Sequence, residues 1–472
     1  VQRMTSLVTF FYLLSVVRYV KARLSIESSE FKKQGAAALR RRVKIGILFA
    51  GSLLAAVLAM KTKEIAFTLP FAVLLYEGCF FRGPWRRRLL YLLPFLATLP
   101  IVPMSVLTAG QTVGPTVGQI AGRAAGGMIA NVGEQLRAST HMSRLDYLFT
   151  QFRVIVTYLR LLVLPVNQNL DYDYPVYQTF FTPPVFLSFL LLASIFALAV
   201  YLIFATRFPP STSRKVPNPA LRLIAFGILW FFLTLSVESS LIPILDVIME
   251  YRLYLPSIGA FIAFSTAFFL LSSKFSRPGI YLSVLAGMLI IVSLSVATHQ
   301  RNNVWGSAVS LWGDVVRKSP QKPKPMNNLG GALNDSGRPW EAIPILKKAV
   351  EISYKYDMAN YNLGRSYLLT GQSRAAIPLL QEAIRITPNL YGAYSDLGAA
   401  LIKDRRYNEA IKFLEQDLGL VGDMPEVHFN LGVAYFSAGM PQKARRELVT
   451  LSKLDQGLAT KLADFLGRHQ NR

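Results

Sequence analysis

"EYRLYLPSIGAFIAFSTAFFLLSS" (residues 250–273) decides how the rest of the chain is read. An acid, Glu250, and a base, Arg252, stand directly before 21 uncharged residues, Leu253–Ser273. A helix needs roughly 20 apolar residues to cross a bilayer, so this run is long enough. Uncharged runs of similar kind cover Leu89–Thr108, Phe180–Thr206 and Pro278–Thr298. Shorter candidates are Ile45–Met60, Ile65–Phe81 (interrupted by Glu77) and Leu221–Val237 (interrupted by Arg222), and Met4–Val17 reads as the tail of another. About eight spans therefore fall within residues 1–299, and after His299 the hydropathy drops. The composition agrees: 52% hydrophobic residues with mean hydropathy +0.35 and formal charge +24 suit a polytopic membrane protein. One cysteine, Cys79, excludes an internal disulfide and a cysteine-based metal site.

Charge assigns the sides. Lys and Arg collect in connections that stay cytoplasmic, and here 19 of the 28 basic residues before residue 300 lie in 18–44, 82–88, 207–222 and 274–277. Eight of the eleven acids fall in the alternate connections: Glu64, Glu134, Asp146, Asp171, Asp173, Glu238, Asp246 and Glu250. The positive charge thus reads as a topological signal, and no nucleic-acid partner is expected. Residues 108–182 read as one long external segment. Within it, "LDYLFTQFRVIVTYLRLLVLP" (145–165) is apolar but carries Arg153, Thr157 and Arg160 on one helical face. Such a stripe suits a helix lying in the interface plane; the alternative is a true span with snorkelling arginines. This topology leaves Val1 outside, so the chain is expected to have lost its beginning.

The remaining third repeats itself. Leu-Gly recurs at Leu329–Gly330, Leu363–Gly364, Leu397–Gly398 and Leu431–Gly432, 34 residues apart. Ala342, Ala376, Ala410 and Ala444 keep the same period, as do Leu346, Leu380, Leu414 and Leu448. Gly337, Gly371 and Gly439 mark a turn between two helices, with Arg405 at the third equivalent place. A 34-residue helix–turn–helix unit with small residues at its crossings is the tetratricopeptide (TPR) pattern. Its units bury a face only by stacking. The expected organisation is an all-α chain: a membrane domain over 1–299, a partial leading repeat helix and linker over 300–324, four repeats over 325–456, and a capping helix and tail over 457–472. The residue before each Leu-Gly is Asn328, Asn362, Asp396 and Asn430. An Asn amide both donates and accepts, so this row reads either as a ladder for a peptide backbone or as a set of contacts between repeats.

Ionisable groups at membrane depth are costly and point to function. At the external span ends stand Arg252, Lys63, Glu64 and Glu238, with Asp171, Tyr172 and Asp173 in "NQNLDYDYPVY". Basic residues there suit an anionic lipid headgroup such as a polyprenyl phosphate, and the carboxylates and tyrosines suit sugar hydroxyls. Each also has a bland reading: interfacial tyrosines are common, and a Glu–Arg pair can simply tie two loops. The four histidines, His141, His299, His428 and His469, are scattered without metal-ligand spacing, and "GPTVGQIAGRAAGG" lacks the Lys-Ser/Thr of a phosphate-binding loop.

"VQRMTSLVTFFYLL" (1–14), "KTKEIAFTLPFAVLLYE" (61–77), "LPVNQNLDYDYPV" (164–176) and "EYRLYLPSIGAF" (250–261), followed by TPRs, resemble the bacterial relatives of the transmembrane-and-TPR O-mannosyltransferases. Those belong to the GT-C superfamily of polyprenyl-phosphate-sugar-dependent glycosyltransferases. The resemblance implies a helical membrane domain of GT-C type and transfer of a sugar from a lipid carrier to a Ser or Thr of a protein on the non-cytoplasmic face. It implies no cofactor beyond that donor, donor binding by Arg252, Lys63, Glu64 and Glu238, and a TPR groove that recruits the acceptor. It places the protein in a bacterial inner membrane with its repeats on the periplasmic side. It also implies about eleven spans, with the acidic catalytic loop upstream of Val1, so no catalytic base is assigned and the chain as given is expected to be inactive. The competing reading is a non-catalytic, membrane-anchored TPR scaffold; a transporter fits less well, because the uncharged spans offer no ion relay. Accessibility labelling is expected to find Arg252 and the repeats on one side of the bilayer, and finding them on opposite sides would overturn the sidedness.

Overall fold

The computed structural model describes residues 2–27, 36–81, 83–105, 142–207, 218–240, 243–244, 246–274, 277–421 and 424–470. The Gly-rich stretch 114–127, the first part of the expected external segment (108–141) and most of the 207–222 connection lie outside the described residues. Among those described, every regular element is a helix. The chain divides into two compact units, residues 1–170 with 174–297 and residues 171–173 with 298–472.

The first unit contains α1 (Gln2–Glu27), α2 (Ala36–Thr62), α3 (Leu69–Phe80), α4 (Trp85–Leu96), α5 (Arg144–Val163), α6 (Pro183–Arg207), α7 (Pro219–Leu235), α8 (Tyr254–Ser272) and most of α9 (Arg277–Val304). Five stretches are long and apolar enough to cross a membrane: Leu39–Thr62, Trp85–Ser105, Pro183–Arg207, Glu250–Ser272 and Gly279–Val304. The other expected spans take different forms. The stretch near 65–81 becomes a 3-10 turn, Glu64–Thr68, followed by the 12-residue α3, whose Pro70 sits in the first turn where its missing N–H costs nothing. The 4–20 stretch belongs to the 26-residue α1, whose second half carries Arg18, Lys21, Arg23 and Glu27. Helix α7 is apolar but 17 residues long.

Small and polar side chains bring these helices together. Ser52 donates to the Ser15 carbonyl at 2.7 Å, joining α2 to α1. The buried Tyr12 hydroxyl lies 3.1 Å from Thr68 Oγ1. Gly227 and Gly259 set the crossing of α7 and α8, where a Cβ on Gly227 would stand 2.4 Å from the Gly259 carbonyl oxygen. Trp230 Nε1 donates to the Leu255 carbonyl at 3.0 Å across the same crossing.

Glu77, which the sequence shows merely as an interruption in an apolar run, is fully buried at the node of three helices. Arg23 Nε meets its Oε1 at 2.5 Å, Tyr19 donates to the same oxygen at 2.7 Å, and Arg88 Nε reaches Oε2 at 3.2 Å. The Arg23 guanidinium also lies 4.4 Å from the Phe81 ring centroid and 4.5 Å from that of Tyr91. One carboxylate therefore fastens α1, α3 and α4. Removing one partner of a buried ion pair typically costs about 3–5 kcal/mol, because the other charge stays buried and uncompensated. Glu77→Gln is accordingly expected to lower the unfolding temperature in detergent sharply, and an unchanged temperature would deny the node this role.

The second unit stacks helix pairs: α10 (Ala308–Lys318), α11 (Pro323–Asp335), α12 (Pro339–Ile352), α13 (Asp357–Leu369), α14 (Ser373–Ile386), α15 (Tyr391–Lys403), α16 (Tyr407–Val421), α17 (Pro425–Ser437), α18 (Pro441–Leu454) and α19 (Gln456–Gln470). The repeat glycines mark close approaches. A Cβ on Gly330 would sit 2.3 Å from Leu346 Cγ, one on Gly364 2.8 Å from Leu380 Cγ, and one on Gly398 2.8 Å from Leu414 Cδ2. In the fourth repeat the neighbour is Leu462 of the terminal helix α19, at 2.5 Å from Gly432, so that helix closes the array. The turn residues Gly337, Gly371 and Gly439 have φ of +72°, +81° and +79°, and Arg405 keeps the same left-handed turn at +62°. A non-glycine residue there carries roughly 1–2 kcal/mol of strain.

Candidate functional site

Lys63 stands in extended backbone between α2 and the 3-10 turn, its amide still donating to the Ala59 carbonyl at 3.3 Å. Its ammonium donates to Glu238 Oε1 at 2.6 Å and lies 4.9 Å from the Tyr251 ring centroid. Glu238 follows α7 and is 2% exposed. The pair joins residues 175 apart in sequence, with both side chains withdrawn from solvent.

Arg252 is equally buried. Its Nη2 donates to the Asp246 carbonyl at 2.8 Å and its Nη1 to the Val247 carbonyl at 3.2 Å. The residue expected to face a phosphate thus holds down its own loop with two of its three nitrogens. Glu250 Oε1 accepts from the Asn169 amide at 2.6 Å. Glu64 is exposed and takes no part in these bonds. Lys63, Glu238 and Arg252 therefore belong to one buried polar network, and Glu64 stays outside it.

Helix α5 supplies what sequence reasoning missed. The Arg153–Thr157–Arg160 stripe marks one face, and the opposite face carries Tyr147, Gln151 and Tyr158, all buried. Tyr147 donates to the Glu238 carbonyl at 2.6 Å. Gln151 Nε2 donates to the Val247 carbonyl at 3.0 Å. The Tyr158 hydroxyl donates to the Met249 carbonyl at 3.0 Å and accepts from the Met249 amide at 2.9 Å. Polar groups at spacings of four and seven on an otherwise apolar face were the available signal. On the stripe side, Thr157 Oγ1 lies 2.8 Å from the Tyr174 hydroxyl.

The acidic tyrosine stretch makes other commitments. Asp171, Tyr172 and Asp173 belong to the repeat unit. Asp171 is buried and its carboxylate pairs with Lys322, while Lys324 stands 3.8 Å from its second oxygen. Ser319 Oγ donates to the Asp171 carbonyl at 2.8 Å and accepts from the Asp173 amide at 3.0 Å. These bonds pin the strip to α10 and the start of α11, where the sequence reading had expected a sugar or acceptor contact.

The row before the Leu-Gly pairs links consecutive repeats. Asn362 Nδ2 donates to Asn327 Oδ1 at 2.8 Å, and Asn430 Nδ2 donates to the Ser395 carbonyl at 2.9 Å and to its hydroxyl at 3.2 Å. Asp396 meets the hydroxyl of Tyr361. Each partner lies 35 residues earlier, so the donors of Asn362 and Asn430 are occupied between repeats. Asn328, in the first repeat, receives Asn327 Nδ2 at 3.3 Å.

Burial pushes the Asp396 carboxyl above its ordinary value of 3.8, against the opposing pull of Arg365 and Tyr361, and its Oδ2 has no hydrogen-bond partner among the described residues. A raised carboxyl binds more protons folded than unfolded, so stability falls as pH rises from 3.8 through the raised value. Asp396→Asn is expected to raise the unfolding temperature of the repeats at neutral pH, with the gain disappearing in acid. Thermal unfolding across pH reads this directly, and a gain independent of pH would contradict it.

The fold defines a class: a helical protein with five stretches long and apolar enough to cross a membrane and a stack of TPR-like helix pairs, among the described residues. Tetratricopeptide repeat models match residues 359–390 and 393–427. The protein O-mannosyl-transferase Tmtc3 of Drosophila melanogaster is 30% identical over 29% of this chain and 15% of its own length. The human protein O-mannosyl-transferase TMTC1 is 30% identical over 25% of this chain and 13% of its own length. Among solved structures, MamA from Desulfovibrio magneticus has TM-score 0.31 and 22% identity, covering 35% of this chain and 95% of that one. The chain thus carries TPRs and is similar, over a quarter or so of its length, to protein O-mannosyl-transferases, and its matches span less than a sixth of those curated relatives' length.

Proposed function

We propose that this protein belongs to a membrane glycosyltransferase that takes a sugar from a polyprenyl-phosphate carrier and passes it to a Ser or Thr hydroxyl of a protein acceptor. The observation that carries this reading is the Lys63–Glu238 pair, drawn from the ends of two distant helices into one buried network with Arg252. An ammonium has three donors; Glu238 takes one, and the others suit a lipid phosphate arriving at the helix ends. The similarity to O-mannosyl-transferases supports the same chemistry. The membrane would be a bacterial inner membrane, with transfer on its periplasmic side. The helical repeats would hold the acceptor, since stacked TPR units form a concave binding surface. Helix α5 would lie in the interface plane, as the Arg153–Thr157–Arg160 stripe on an apolar helix suits.

A second reading has its own support: Arg252 serves loop carbonyls, as in a purely structural junction, and a membrane-anchored TPR scaffold would need nothing more. Carrier binding separates the two. The full chain in nanodiscs is expected to bind polyprenyl phosphate in clear preference to the uncharged polyprenol. A charge-assisted hydrogen bond contributes about 1.5–3 kcal/mol, so the preference should fall by at least roughly tenfold in Lys63→Met and in the charge-balanced Lys63→Met/Glu238→Gln pair. Equal binding of phosphate and alcohol would leave the scaffold.

A further inference from the structure

Buried polar atoms are nearly always hydrogen-bonded, and exceptions call for a cause. Within the first unit, five buried side-chain atoms have no partner among the described residues: Gln151 Oε1, Glu238 Oε2, Ser239 Oγ, Arg252 Nε and Arg222 Nε. All but the last belong to one network. Gln151 and Arg252 donate to the same Val247 carbonyl, Tyr147 lies one turn before Gln151 and bonds the Glu238 carbonyl, and Ser239 is the next residue. Four of the unmet groups therefore sit on residues held where α5 meets the chain around Glu238 and the 246–252 segment.

Their chemistry is uneven. Glu238 Oε2 and Gln151 Oε1 only accept, Ser239 Oγ accepts or donates, and Arg252 Nε alone only donates. A phosphate is all acceptor, so it would match Arg252 Nε and meet oxygen elsewhere. A group that presents several hydroxyls, each donating and accepting, matches the whole set. We propose that Gln151, Glu238, Ser239 and Arg252 form a subsite for the hydroxyls of a sugar ring, with Gln151 and Ser239 as the specificity-determining residues. This rests on the glycosyltransferase reading and divides the donor: phosphate toward Lys63, sugar toward α5. The site is closed in this structure, since Gln151 is wholly buried and Glu238 and Arg252 are 2% exposed. Entry requires α5 to part from the 246–252 segment, a separation opposed by the bonds from Tyr158 and Gln151.

Ser239→Ala removes a hydroxyl that has no partner among the described residues, so it breaks none of the bonds described above. Gln151→Met keeps the volume and removes the amide. Two measurements on the full chain in nanodiscs test the proposal. The first is the affinity of a polyprenyl-phosphate hexose relative to bare polyprenyl phosphate. The second is saturation transfer from the protein to methyl hexopyranosides, which needs no carrier. Wild type should favour the hexose-bearing carrier and show saturation transfer to at least one glycoside. One lost hydrogen bond is worth about tenfold in affinity, so both variants should reduce that preference by roughly this factor and abolish the transfer. Glycoside binding without any carrier binding would sink the donor reading and keep the sugar subsite. Carrier binding with an unchanged preference in both variants, and no glycoside signal, would overturn the subsite and leave the donor reading standing.

Discussion

The irregular stretch that follows α7 and ends at the 3-10 turn Glu250–Leu253 governs the first unit. Near a bilayer, non-helical backbone persists only where other protein groups satisfy its amides and carbonyls. Here Tyr147, Gln151 and Tyr158 of α5, with Arg252 from the stretch itself, reach the carbonyls of residues 238, 246, 247 and 249. Withdraw α5 and the Glu238 carbonyl and the Met249 amide lose these partners, leaving Arg252 alone to hold the carbonyls of residues 246, 247 and 249. The placement of Glu238, and with it the anchor for Lys63, depends on this stitching.

Two ionic arrangements in the same unit divide the labour. Glu77 is saturated: two guanidiniums and a tyrosine meet it, and the surrounding rings cover Arg23. Such a node holds helices and has no capacity left for a ligand. Among the described residues, the Glu238 network retains unmet acceptors and the unmet Nε donor of Arg252. A half-satisfied buried network costs stability, and this is the network to which the proposed sugar subsite is assigned.

The repeat unit was legible in large part. The 34-residue period placed its glycines, and Arg405 adopts the turn conformation that its position in the period demands. Periodicity works because each repeat solves the same packing problem with the same small residue at the same crossing. It could not distinguish a peptide ladder from a bond between repeats, since an Asn amide serves either. The partner at 35 residues' remove decides that, and it is a property of the stacked array.

Sequence alone determined what depends on local composition: five of the stretches apolar enough to span, where basic connections gather, and where helices of the repeats pair and turn. It also singled out Lys63, Glu238 and Arg252, because a charge beside a span is anomalous wherever the chain later goes. Tertiary structure decided the rest. Tyr147, Gln151 and Tyr158 look like ordinary residues of an amphipathic helix until a backbone about 90 residues downstream is laid against them. Glu77 likewise reads as a blemish until two arginines from other helices close on it. Hydrogen bonds and ion pairs of this range are set by which surfaces meet, and no spacing along the chain records that.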